Sequence, residues 1–394
     1  RSNHKSVSYK LYYVTSYLTF CLALLSKEMA ITLPLIIFCY EYFFSTKKGK
    51  DLYAILYSRP FTGYLFVTIG YLYLRFFLFQ NQYEVIRAWA FWNRFSTVPY
   101  LIMKYLYLMI APFSLSADYV VLPIKFSSPV FIVCLLAVIS LFALAYRLGR
   151  DNRETGFGAA FFILTLLPMY NIIPIVNPLA ERYLYLPAVG FLVILTTLLN
   201  RVFKTKSHYI LLVILCLYSL AVINRNTAWN SNYTLWSDVI EKMPDSSRAH
   251  SELAGSYAEQ KKWDPALKHL KIAVQMNPSN AGLLNNMAII YYEKGELDLA
   301  LQCLKTSLKT RPGYAVTHNN MGNIYLKKNQ FDDAIREFKM ALELKGDYAQ
   351  ARYNMANAYF SKGLYYDAAV EYQKVLIYNP HEADVHFKLG SSYA

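Results

Sequence analysis

The sequence predicts an all-α chain in two parts: a polytopic bundle of transmembrane helices, then a superhelical solenoid of paired helices. Three observations predict it. Residues 1–224 contain about seven apolar stretches of membrane-spanning length, a repeat of 34 residues runs from residue 247 to the end of the 394-residue chain, and the charge divides between the same two parts. Residues 1–224 hold 20 Lys+Arg against 8 Asp+Glu, whereas residues 225–394 hold 20 against 18, so twelve of the fourteen excess positive charges lie in the apolar part. There they occupy short connections, where Lys and Arg set membrane orientation. Nucleic-acid binding would need a basic face on a soluble domain, and this distribution argues against it.

A bilayer demands roughly 17–25 apolar residues per crossing helix. By that length the spans fall at about 9–26, 28–44, 61–79, 129–146, 157–176, 183–200 and 209–224. A further stretch, 97–113, carries Lys104 at its middle. If it does not cross, the clusters at 47–59, 147–153 and 201–206 share one side, as the positive-inside tendency requires. The stretch is therefore expected to be re-entrant or interfacial and packed on protein. The repeats then lie on the extracytoplasmic side, in a periplasm, an organelle lumen or the exterior. Cys21, Cys39, Cys134 and Cys216 fall within spans and Cys303 within a repeat, without CxxC or Cys/His spacing, so neither a disulfide nor a zinc site is expected.

Residues 225–246 read as a connector and degenerate helical repeat, and 247–394 as four complete repeats and part of a fifth. Frames beginning at Ser247, Ala281, Ala315, Ala349 and Ala383 align without gaps. One column reads Tyr257, Tyr291, Tyr325, Tyr359, Tyr393; another reads Ala266, Ala300, Ala334, Ala368; a third is small throughout, Ala254, Ala288, Gly322, Ala356, Gly390. Pro278, Pro312, Gly346 and Pro380 close the repeats. Small residues let paired helices approach, and proline cannot continue the second helix. This is the tetratricopeptide (TPR) pattern, whose arrays mostly bind other proteins. Asn286, Asn320 and Asn354 occupy one column of the first helices. An amide both donates and accepts, so a ladder of them could hold an extended peptide by its backbone, as in the TPR domain of nucleocytoplasmic O-linked N-acetylglucosamine transferases, which this column resembles. The same residues could equally serve repeat-to-repeat contacts.

Four blocks in the apolar part are more specific. They are Ser26-Lys27-Glu28-Met29 with Pro34; Ala111-Pro112 through Ser116-Ala117-Asp118-Tyr119; Asn171 through Glu181-Arg182-Tyr183-Leu184-Tyr185-Leu186-Pro187 to Gly190-Phe191; and Asn224-Arg225-Asn226 with Trp229. In this order before TPR repeats, they resemble the transmembrane and TPR-repeat-containing family, called TMTC in animals, and its prokaryotic relatives. The resemblance implies a GT-C glycosyltransferase bundle, here partial, that moves a sugar, mannose favoured, from a polyprenyl-phosphate carrier to Ser/Thr of exported, periplasmic or lumenal proteins held by the array. Such enzymes usually carry the catalytic carboxylate in their first extracytoplasmic loop. The chain opens on Arg1 and stops at Ala394 just past a repeat boundary, so it is expected to be a fragment truncated at both ends, with the base upstream. Asp118 is the best carboxylate that remains for acceptor or metal contact.

Transfer from a lipid phosphate leaves a phosphate dianion, which Lys and Arg stabilise, Arg through a bidentate fork. By the topology above, Arg182, then Arg75 and Lys27, are the expected donor-phosphate contacts. Glu181 and Glu28 would orient them or coordinate a divalent cation. The alternative for the Lys27-Glu28 and Glu181-Arg182 doublets is a local ion pair at a helix turn. The many tyrosines at span ends are accounted for by interfacial anchoring. The competing function is a non-catalytic, membrane-anchored TPR scaffold for envelope or protein-complex assembly.

Overall fold

The computed structural model describes residues 2–26, 28–44, 56, 59–78, 91–170 and 177–393. Among them the regular structure is helical throughout. The chain forms two compact units, Arg1–Ala228 and Trp229–Ala394.

The first unit contains α1 (Ser2–Ser26), α2 (Leu33–Phe44), α3 (Arg59–Leu78), α4 (Phe91–Ile110), α5 (Pro129–Asp151), α6 (Arg153–Leu166), α7 (Tyr185–Phe203) and α8 (Ser207–Asn226). Among the described residues two helical stretches are long and apolar enough to cross a membrane, Pro129–Asp151 and the run Glu181–Asn230 that includes α7 and α8. Ser128 caps α5 by accepting the Val130 N–H, with Pro129 opening the helix. Of this helix only Val138 is buried, and Val133, Leu136 and Ile139 lie open on its surface. Apolar exposure on this scale suits hydrocarbon better than water.

Two expected spans come out differently. Stretch 28–44 is a 3-10 segment, Glu28–Thr32, followed by α2. The 12 residues of α2 extend about 18 Å, against a hydrocarbon core of about 30 Å. Pro34 stands in the first turn of α2, where its missing N–H costs no helical bond, and the 3-10 segment ends just before it. Stretch 157–176 gives α6, which ends at Leu166, and a 3-10 segment Leu167–Met169 around Pro168; residues 171–176 lie outside the described residues. The ambiguous stretch 97–113 lies largely within α4. Leu101, Tyr105 and Leu108 share one face at helical spacing and are buried at 2% exposure or less. Lys104 places its ammonium 5.1 Å from the centroid of the Tyr107 ring. Helices α6 and α7 pack closely where Gly158 and Gly190 face each other.

The second unit opens with α9 (Asn232–Lys242), whose N-terminus is closed by a capping box between Ser231 and Thr234. Its buried Trp236 and Val239 lie on the side where α9 meets α10 (Ser247–Glu259). The helix pairs are then α10 with α11 (Trp263–Met276), α12 (Ala281–Lys294) with α13 (Leu297–Thr310), α14 (Ala315–Lys327) with α15 (Phe331–Leu344), and α16 (Ala349–Ser361) with α17 (Tyr365–Tyr378), followed by α18 (Ala383–Tyr393). Ala266, Ala300, Ala334 and Ala368 are all fully buried, because at these points the paired helices leave room for a methyl group only. A ladder of ion pairs links successive repeats: Lys294 with Asp264 at 2.8 Å, Lys328 with Asp298 at 2.8 Å, and Lys362 with Asp332. The aspartates are exposed, so each rung contributes little by itself.

The first repeat contains a histidine pair, His250 Nδ1 to His269 Nδ1 at 2.9 Å. His250 Nε2 faces the Pro244 carbonyl at 3.1 Å. A carbonyl only accepts, so in the neutral pair His250 carries its proton on Nε2 and accepts at Nδ1 from His269. Burial, then His250 and Lys268, push the His269 pKa below its ordinary value. Between that lowered value and the unfolded value of about 6.5, the unfolded chain binds more protons, so stability rises with pH. Amide-exchange protection across 247–276 is therefore expected to be full above about pH 6.5 and to decline as the pH falls below it. A His269→Asn variant should flatten that dependence; a wild-type profile already flat from pH 7.5 to 5 would contradict it.

Candidate functional site

The two central blocks meet through two tyrosines. Tyr105, fully buried in α4, donates its hydroxyl to the Pro178 carbonyl at 2.8 Å and accepts the Ala180 N–H at 3.3 Å. It thus fixes the segment leading into Glu181. Tyr119, in the connection after α4, donates to Glu181 Oε1 at 2.9 Å and accepts the Ser116 N–H at 3.0 Å. The Ser116 hydroxyl closes the turn on the Asp118 carbonyl at 2.8 Å.

That connection is held at both ends. Thr97 Oγ1 accepts the Ile124 N–H at 3.1 Å, and the Ser96 hydroxyl donates to the Ile124 carbonyl. At the end of α4, Tyr218 of α8 donates to the carbonyls of Met109 and Ile110. Tyr218 and Arg225 are seven residues apart, on one face of α8. Burial raises the Tyr119 pKa well above its ordinary value; the Glu181 charge adds to this and Arg225 opposes it. The blocks around Asp118, Glu181 and Arg225 thus converge on one place, although they are far apart in sequence. Beside it, Tyr100, Val120, Leu122, Ile124, Lys125 and Val130 line an open cleft of about 520 Å³.

Among the residues expected from sequence, Glu181 is half-buried in this cluster, and Asp118 is buried at 7% exposure next to Tyr119. Arg182 is exposed, donates to the Tyr183 hydroxyl at 3.2 Å and lies over that ring, 4.9 Å from its centroid. Glu181 and Arg182 therefore have separate partners, and among the described residues they form no ion pair with each other. Arg75, near the end of α3, donates to the Tyr71 hydroxyl one turn earlier, at 2.7 Å. Lys27 and the side chain of Glu28 lie outside the described residues; the turn that Glu28 opens packs beside Leu167–Met169. Tyr105, Tyr119 and Arg225 were not singled out from sequence. Two of them lie within the quoted blocks, but nothing in their spacing pairs residue 119 with residue 181.

The asparagine column has mixed surroundings. Asn286 is exposed and reaches Ser251 Oγ only at 3.5 Å. Asn320 donates to Asn285 Oδ1 of the preceding repeat at 3.1 Å, and Asn354 donates to Asn319 Oδ1 at 3.0 Å. Asn354 Oδ1 also accepts from Gln350, and Asn354 is buried. These two amides therefore make repeat-to-repeat bonds. Next to them Ile289, Tyr292, Glu293, Asn320 and Asn323 line a cavity of about 170 Å³. Lys327 caps Tyr292, its ammonium 4.1 Å from the ring centroid.

Comparison with known proteins finds a repeat family and a set of partial relatives. The TPR repeat family matches residues 288–329 and 322–363. Protein O-mannosyl-transferase TMTC1 of Homo sapiens is 27% identical over 217 residues, which is 50% of this chain and 25% of the relative. Protein O-mannosyl-transferase F38B6.6 of Caenorhabditis elegans is 22% identical over 267 residues, 66% of this chain and 38% of the relative. The match thus spans about a quarter of the human relative's length. Among solved structures, TTC0263, a thermophilic TPR protein of Thermus thermophilus, is 26% identical with a TM-score of 0.38, covering 45% of this chain and 94% of that one.

Proposed function

Since the chain is TMTC-like and its curated relatives are named protein O-mannosyl-transferases, we propose that it belongs to a membrane protein O-glycosyltransferase. It transfers a sugar, mannose favoured, from a polyprenyl-phosphate carrier to Ser/Thr hydroxyls of exported proteins held by the TPR array. The membrane part is multi-pass, and the array lies on the extracytoplasmic side. The observation that carries this reading is the convergence of the Asp118, Glu181 and Arg225 blocks, with Arg182 exposed beside them.

Each residue then has a chemical task. The Arg182 guanidinium, stacked on Tyr183, meets the phosphate that the sugar leaves, and a fork of N–H donors matches its oxygens. A fixed cation where negative charge develops lowers the barrier more than it aids ground-state binding. Arg75 and Lys27 are further donor-phosphate contacts. Glu28 supports that cation set or a divalent cation; Glu181 takes the supporting place that its bond to Tyr119 fixes. Asp118, buried beside Tyr119, is the carboxylate of this chain assigned to an acceptor hydroxyl or a metal.

The test uses full-length protein in membranes, radiolabelled polyprenyl-phosphate mannose and an extract of exported proteins. Label is expected in protein, and Arg182→Ala should lower its rate of appearance by about a hundredfold, as loss of one donor to a developing anion does elsewhere. No label with mannose or other lipid-linked sugars would favour the non-catalytic TPR scaffold. Unchanged transfer by a folded Arg182→Ala variant would remove Arg182 from the site.

A further inference from the structure

We propose that Tyr119 is a positioning residue for Arg182: it holds the Glu181 carboxylate inward, so that the adjacent guanidinium stays free to meet an anion. This rests on the reading of Arg182 as the donor-phosphate contact. Glu181 and Arg182 open a 3-10 segment, Glu181–Leu184. At three residues per turn, successive side chains there diverge by about 120°. Direction alone does not keep them apart, because both are long and flexible and Arg182 is exposed. What separates them is the Tyr119 hydroxyl.

The phenol is well fixed for that task. Tyr119 is 7% exposed. Its oxygen already accepts the Ser116 N–H, so its own proton is directed at Glu181 Oε1. The Ser116 turn is itself closed on Asp118, and the whole connection is clamped at Ile124. A hydrogen bond to a carboxylate is among the stronger kinds, and this one leaves the Glu181 charge on the protein side of the segment. Without it, the half-buried carboxylate can turn to the exposed guanidinium of the next residue. An anion arriving at Arg182 would then meet a neutralised pair.

The experiment titrates dolichyl phosphate into full-length protein in nanodiscs and counts bound lipid by native mass spectrometry. Tyr119→Phe keeps the ring and removes the hydroxyl; affinity is expected to fall roughly tenfold. The double variant Tyr119→Phe with Glu181→Gln should regain wild-type affinity, because a neutral amide cannot neutralise Arg182. A purely structural loss would persist in the double variant, so absence of rescue overturns the proposal. So does a Tyr119→Phe variant that binds like wild type, or a wild-type protein that binds no dolichyl phosphate. Binding and rescue without any sugar transfer would support the proposal and overturn the transferase reading.

Discussion

Gly190→Ala is expected to destabilise the first unit by more than about 3 kcal/mol, above the usual range for overpacking. A methyl group there would stand 2.5 Å from the Gly158 carbonyl oxygen and 2.7 Å from the Phe162 nitrogen. Both are backbone atoms, so no rotamer change can relieve the contact and α7 must move away from α6. The reverse approach is equally tight, since a Cβ on Gly158 would meet the Gly190 carbonyl oxygen at 2.8 Å. Small residues at such crossings are how helices associate where no hydrophobic effect drives them together. The matched control is Gly70→Ala in α3, where an added Cβ meets nothing within 4 Å. Alanine there should be neutral or stabilising by up to about 1 kcal/mol. Thermal midpoints of the two variants in detergent decide the matter. If they melt together, the α6–α7 contact is not the close one described. Because Glu181–Leu184 runs straight into α7, the loss should carry over to donor-lipid binding.

What the sequence could show depends on how far apart the cooperating residues lie. Alanines 266, 300, 334 and 368 are legible as core because side-chain size at a fixed period suffices to place them. The Asp–Lys ladder was equally present, as three pairs 30 residues apart, but it crosses repeat boundaries and does not show within any one frame. Hydropathy found the apolar stretches but not the restart at Pro34 or the turn at Pro168, since apolarity says nothing about where the backbone loses a donor. At the site, the charges of Glu181 and Arg182 were visible. Their separate partners were not, because the hydroxyl that holds Glu181 comes from 62 residues away. Tyr119 was also hidden among 36 tyrosines, for which interfacial anchoring is a sufficient reason.

The asparagines lead to the second large effect. Asn285→Ala is expected to lower the stability of the second and third repeats by about 2–3 kcal/mol, the scale for removing several buried hydrogen bonds at once. Asn285 is 3% exposed, and its amide lies 2.8 Å from both Ser307 Oγ and Thr317 Oγ1 and 2.9 Å from the Ala281 carbonyl. Its oxygen accepts from Asn320. Ser307 and Thr317 are fully buried, so truncation leaves polar groups without water to replace the lost partner. Asn286→Ala, one residue along, should change stability by less than about 0.5 kcal/mol, as exposed substitutions do. Amide exchange across 281–327 in the intact chain reads both. This contrast also decides how to probe an acceptor peptide. Alanine at 286, 320 and 354 together would break bonds between repeats as well as any bond to a ligand. Asn286→Ala alone separates the two. Weaker capture of an extended protein acceptor with unchanged exchange would place that acceptor on the asparagine face; unchanged capture would leave the column a purely structural one.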